Sequence, residues 1–192
     1  MIYGLIVAAG LSSRAKGYKM TYEFSGLTMI EKAVLSFKPF CEKVYVVVGY
    51  NHLVIRKILK KYDFIEIIYN ENYEDGMFSS VKLGINNIKC DRLLFMPGDY
   101  PNVKESTIEK LLQNKGDVII PSFNYHAGHP IVIDGKLLGE ITENSNYLTL
   151  KDFVKSKKVE YVNVVDNGVL MDVDTLKDYL NVSRSIKNEN WH

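Results

Sequence analysis

A chain of 192 residues with 46% hydrophobic content is long enough to bury one α/β core and too short for two full domains. Lysine and arginine number 24 against 23 acidic residues, and the resulting net charge of +1 argues against a nucleic-acid partner, which calls for a basic excess. Cys41 and Cys90 have no CxxC spacing and no histidine cluster beside them, which speaks against a zinc site and a disulfide framework and for a reducing, cytoplasmic setting.

In chain order, Ile2, Leu5, Ile6 and Val7 form the apolar run of a strand buried on both faces. No basic leader precedes it and its run is too short to cross a bilayer, so neither a targeting segment nor a membrane association is expected. Ala8, Ala9 and Gly10 then leave almost no side chain at the strand's carboxyl end, where a ligand can lie on the backbone and N–H groups can face an anion. Arg14 and Lys19 follow within one loop. By itself the loop reads equally as a strand-to-helix turn with two solvated cations, and it is neither GxGxxG nor GxxxxGK[ST].

The first helix opens at Thr28, turns Ile30, Val34 and Phe37 inward and closes at Pro39. Strands are expected over 44–48, 64–69, 92–96 and 117–121. Asn51 caps a helix whose apolar stripe is Val54, Ile55, Ile58 and Leu59, with Arg56, Lys57, Lys60 and Lys61 as its solvated face. Further helices start near Met77, Lys104 and Tyr147, and the last spans Asp174 to Leu180. Strands alternating with helices imply an α/β protein with a mainly parallel central sheet covered on both faces. One domain is expected over 1–183, followed by a polar tail over 184–192.

Ligands of such sheets sit beyond the carboxyl ends of the strands. Asp99, in LLFMPGDYP, is placed there by a turn that Pro97, Gly98 and Pro101 shape; it suits Mg²⁺, and it suits a plain turn. Asp174, two residues after Asp172, reads as a metal ligand or as the N-cap of the last helix. In EDGMFSSVKLGI, Gly76 permits a close backbone approach and Ser79 and Ser80 offer hydroxyls at a helix N-terminus, which also describes an ordinary capped start. Gly128, His129 and Pro130 mark entry to a strand.

These segments together resemble the MobA-like nucleotidyltransferases, which join molybdopterin to a nucleotide, and related sugar-phosphate and alditol-phosphate cytidylyltransferases. AAGLSSRAKGYK is similar to the signature AAGxSxRMGxxK, with Gly10, Ser12, Arg14 and Lys19 on the expected positions. Ala15 and Lys16 stand where that family has Met and Gly, and Gly17 can serve the turn one residue later. LLFMPGDYP resembles the PGDxP metal motif and EDGMFSSVKLGI the GMSSSL segment. HAGHPIVI resembles the GHP motif of the acceptor side, and MDVDTLKDY the DIDTPEDY ending, with Leu176 replacing Pro.

The resemblance implies a three-layer αβα Rossmann-like nucleotidyltransferase fold and Mg²⁺-dependent transfer of CMP from CTP to a phosphorylated acceptor, molybdopterin first, with pyrophosphate released. It assigns Arg14 and Lys19 to the triphosphate and Asp99 and Asp174 to Mg²⁺. Ala8, Ala9, Gly10, Leu11 and Ser12, with Gly76, Ser79 and Ser80, line the nucleotide in that reading, and Gly128 and His129 line the acceptor. An alanine at Ala9 goes with the cytidine enzymes of the family. The delivery partner is then a molybdoenzyme or its chaperone. The alternatives are a cytidylyltransferase for a small alditol or choline phosphate and a delivery module that binds nucleotide or cofactor without turnover.

Overall fold

The computed structural model describes residues 1–10 and 17–189. Strand β1 (Ile2–Ala8) is followed by a short antiparallel pair, β2 (Glu23–Phe24) and β3 (Leu27–Thr28), which leads into α1 (Met29–Phe37). Then come β4 (Lys43–Val48), α2 (His52–Leu59), β5 (Ile65–Tyr69), α3 (Met77–Asn86), β6 (Arg92–Pro97) and α4 (Glu105–Leu112). The last part holds β7 (Val118–Phe123), β8 (His126–Ala127), β9 (Ile131–Asp134), α5 (Leu138–Glu143), α6 (Leu150–Lys155), β10 (Val159–Asn163) and α7 (Leu176–Glu189).

The main sheet has the order β10-β7-β9-β6-β1-β4-β5, with β8 folded back onto β7. β5, β4, β1 and β6 are parallel neighbours. β9 lies antiparallel between β6 and β7, so β7 and its parallel neighbour β10 point the same way as β1. From β1 the chain passes to β4 and β5 on one side and returns to β6 on the other. That reversal opens a crevice beyond the carboxyl ends of β1 and β6.

Side-chain alternation along β1 builds the two outer layers. Ile6 and Ala8 join the core formed with Ile30, Val34 and Phe37 of α1, Ile55 of α2 and Ile108 of α4. Leu5 and Val7 join the opposite core, with Val81 and Ile85 of α3, Leu138 and Ile141 of α5 and Phe153 of α6. The expected three-layer αβα architecture with a mainly parallel sheet is therefore present. Among the described residues no helix is long and apolar enough to cross a membrane.

Helix starts follow local chemistry. Thr28 caps α1 as expected, and its side chain and that of Glu31 close a reciprocal capping box. The tetrapeptide TLKD does the same twice, Thr149 with Asp152 at α6 and Thr175 with Asp178 at α7. This shifts the α6 start from the expected Tyr147 to Leu150. Asn51 occupies the N-cap position of α2, but its backbone is left-handed (φ 55°) and its side chain makes no capping bond, which corrects the expected mechanism: the amide serves a strained turn that asparagine tolerates. The last helix also departs from expectation. It begins at Leu176 and runs to Glu189, because Val182 and Ile186 continue an apolar stripe from Tyr179 into the core, so the expected polar tail is helical as far as Glu189.

Glu31 is nearly buried yet ionised. Burial by itself raises its carboxyl pKa, but Lys61 (2.7 Å), Thr28 and the Tyr62 hydroxyl (2.9 Å) outweigh that and hold it at about 2, against an ordinary 4.5. A depressed carboxyl pKa stabilises the fold above the ordinary value and loses that contribution as pH falls through the folded value. Denaturant midpoints should therefore drop between about pH 4.5 and pH 2. Glu31→Gln should flatten that part of the profile; an unchanged profile would show that Glu31 carries none of it.

Candidate active site

The crevice beyond β1 and β6 is a cleft of about 360 Å³, within the range of small-molecule sites. Ala8, the last residue of β1, and Ala9 after it form the floor, and Gly10 carries the backbone into the open. Tyr73, Glu74, Gly76, Met77 and Ser80, from the turn after β5 and the start of α3, form one wall. Gly76 takes φ 92°, a conformation open to glycine, and turns the chain directly into α3. Lys19, Met20, Pro97 and Asp99 close the other side.

Lys19 ties the chain's two halves together there. Its Nζ donates to Asp99 Oδ2 at 2.8 Å and to Asp174 Oδ1 at 2.9 Å. Burial lowers the ammonium's pKa, but the two carboxylates prevail and leave it raised. Asp174 is available for this contact because Thr175, not Asp174, caps α7, so the capping alternative for Asp174 does not hold. Asp99 Oδ1 is buried with no hydrogen-bond partner among the described residues. Asp172 stands nearby, its carboxyl pKa raised by burial and then by Asp99 and Asp174.

The structure thus brings Ala8, Ala9, Gly10, Lys19, Gly76, Ser80 and Asp99 to one cleft, with Asp174 joined through Lys19. Leu11, Ser12 and Arg14, with Lys16, lie outside the described residues. Gly17 has φ 90°, so it supplies the conformational freedom expected of it. Ser79 is not part of the cleft lining: its hydroxyl donates back to the carbonyls of Gly76 (2.8 Å) and Asn72 (3.1 Å), and α3 starts at Gly76 with no side-chain cap, so the capped start expected as its alternative is not formed either. Gly128 and His129 do not line the cleft either. A Cβ on Gly128 would overlap the Val169 carbonyl, so its close backbone approach explains the glycine. His129 packs its ring edge against Tyr100 and Phe95, and burial pushes its pKa down to about 4, leaving it neutral at ordinary pH.

Sequence reasoning missed Tyr73, Glu74, Met20 and Met77. Tyr73 and Glu74 follow the carboxyl end of β5, where the rule for open sheets points, but no motif marks them.

The sheet order with its reversal at β1 makes this an open, doubly wound α/β fold, in which ligands are bound at the carboxyl edge of the strands. The chain matches the MobA-like NTP transferase domain over residues 4–161 and belongs to that family of nucleotidyltransferases. It is 26% identical over 178 residues to the molybdenum cofactor cytidylyltransferase of Escherichia coli, covering 92% of each chain. It is 22% identical over 200 residues to a probable molybdenum cofactor guanylyltransferase of Bacillus cereus, covering 97% of this chain and 98% of that one. A nucleotidyl transferase from Methanothermobacter thermautotroptrophicus has the same fold, with a TM-score of 0.85 at 19% identity over 98% of this chain and 99% of its own.

Proposed function

We propose that the protein transfers CMP from CTP to a phosphorylated acceptor, molybdopterin, and releases pyrophosphate. The observation that carries this reading is Lys19 bridging Asp99 and Asp174 at the mouth of a cleft floored by Ala8, Ala9 and Gly10. A phosphate oxygen of the acceptor attacks the α-phosphorus in line. The new P–O bond forms as the bond to the β-phosphate oxygen breaks, and pyrophosphate takes the electron pair. Since the acceptor phosphate is already anionic, no general base is needed, in keeping with a neutral His129 outside the cleft lining.

Among the described residues no group of three or more acidic, histidine or cysteine side chains could cage a metal. Mg²⁺ does not require one, because it is usually held by one or two carboxylates with phosphate and water completing its shell. Asp99 and Asp174 fit that demand: they converge on one cation, the Lys19 ammonium, and Asp99 Oδ1 has no hydrogen-bond partner among the described residues. The bound ion would neutralise charge on the phosphates. Lys19, moving from the carboxylates to the triphosphate, would meet it as a point charge, and the Gly10 backbone would support it. Arg14 belongs to the same reading as a second triphosphate cation.

Ala9 supports cytidine as the base. Its methyl group narrows the floor, which Tyr73 braces by lying across Gly49 beside the Ala9 carbonyl. CTP should bind more tightly than GTP, and Ala9→Gly should relax that preference by about ten- to a hundredfold, the roughly 1–3 kcal/mol that one methylene discriminates. Equilibrium titration with both nucleotides and Mg²⁺ tests this. Equal or tighter GTP binding by the unmodified protein would overturn the cytidine assignment.

A further inference from the structure

Asn70, the residue after β5, has its side chain buried against the start of α3 and is 4% exposed. Its Oδ1 accepts the backbone N–H of Asn72 at 3.0 Å. A backbone N–H can only donate, so this contact fixes which end of the amide is oxygen. The Nδ2 group therefore faces the serines and donates to Ser79 Oγ at 3.0 Å and to Ser80 Oγ at 2.9 Å. Ser79 passes its own proton to the Gly76 carbonyl at 2.8 Å. Ser80 is fully buried, lines the cleft, and has no acceptor for its proton among the described residues.

We propose that Asn70 is a positioning residue that acts through Ser80: by obliging Ser80 Oγ to accept, it holds the hydroxyl proton as a donor for an acceptor atom of the nucleobase. This deepens the nucleotide reading given above and rests on it. Cytosine presents a carbonyl oxygen and an unprotonated ring nitrogen side by side, and either can take the proton. Guanine has N1–H and its 2-amino group where cytosine has N3 and O2, with its acceptor O6 on the far side of N1, so a donor placed for the cytosine pair would face donors. The Asn70–Ser80 pair thus reads hydrogen-bonding character, a different property from the floor width that Ala9 sets.

Asn70→Asp keeps the shape of the side chain and the acceptor for Asn72, but turns its other end into an acceptor. Both serines then donate to it, and the Ser80 proton leaves the cleft. The test measures equilibrium binding of CTP and of tripolyphosphate, which has the phosphates and no base, to the full chain, with circular dichroism to check folding. Asn70→Asp should lower the ratio of CTP to tripolyphosphate affinity by about tenfold, the loss of one neutral hydrogen bond, whereas a general disturbance or the added charge would move both ligands together. Ser80→Ala should lower the ratio by a similar factor, and the double variant no further. An unshifted ratio in Asn70→Asp, or factors that multiply in the double variant, overturns the proposal while the nucleotide site stands. Failure of the unmodified protein to bind CTP overturns the cytidine assignment and the proposal with it.

Discussion

Asp99→Ala is expected to lower turnover by about a hundredfold or more while the protein stays folded, the scale seen when one group that stabilises transition-state charge is removed. The side chain lies in the turn beyond β6 and is partly exposed, so its loss opens no cavity in either core. It also takes one of two carboxylates from the part-buried Lys19 ammonium, which keeps Asp174, so stability should fall modestly without unfolding the protein. Steady-state rates at saturating Mg²⁺, with calorimetry on the same samples, measure both effects. A near-normal rate would reduce Asp99 to a turn residue.

Lys19→Met should be nearly as costly to turnover, again by about a hundredfold, because a cation is lost from the point where the triphosphate charge develops. Its second consequence has the opposite sign. In the nucleotide-free protein the ammonium lies between Asp99 and Asp174, so removing it should tighten binding of Mn²⁺ alone by about tenfold or more, as one competing cation is taken from the two carboxylates. Calorimetric titration with Mn²⁺ in the absence of nucleotide measures this. Unchanged affinity would show that the two carboxylates are not a cation site.

Much of the layered fold was legible because its signals are local. The apolar run of β1 and Thr28 at the start of α1 each fix an element with few neighbours involved, and the position of Asp99 follows from where β6 ends. The antiparallel insertion of β9 was not legible, since Ile131–Asp134 is an apolar run like any other and its direction is set by pairing with β6 and β7. The length of α7 was hidden because Tyr179, Val182 and Ile186 are widely spaced in a polar stretch and gain meaning only against the core.

The same division runs through the site. Gly10, Lys19, Gly76 and Asp99 carry motif signals and meet in the cleft, whereas Gly128 and His129 carry an equally clear motif and serve backbone approach and ring packing. Asp174 was ambiguous in sequence because aspartate both caps helices and pairs with cations; only the Thr175–Asp178 box resolves it. Asn70 gave no signal at all, since its importance lies in which end of its amide faces Ser80.

Pyrophosphate release from CTP, by the full chain with Mg²⁺ and reduced molybdopterin and with GTP in parallel, tests nucleotidyl transfer most directly. Release is expected to depend on the acceptor, to yield one pyrophosphate for each dinucleotide formed, and to be faster with CTP than with GTP. Release no faster than in the protein-free control with either nucleotide would contradict nucleotidyl transfer.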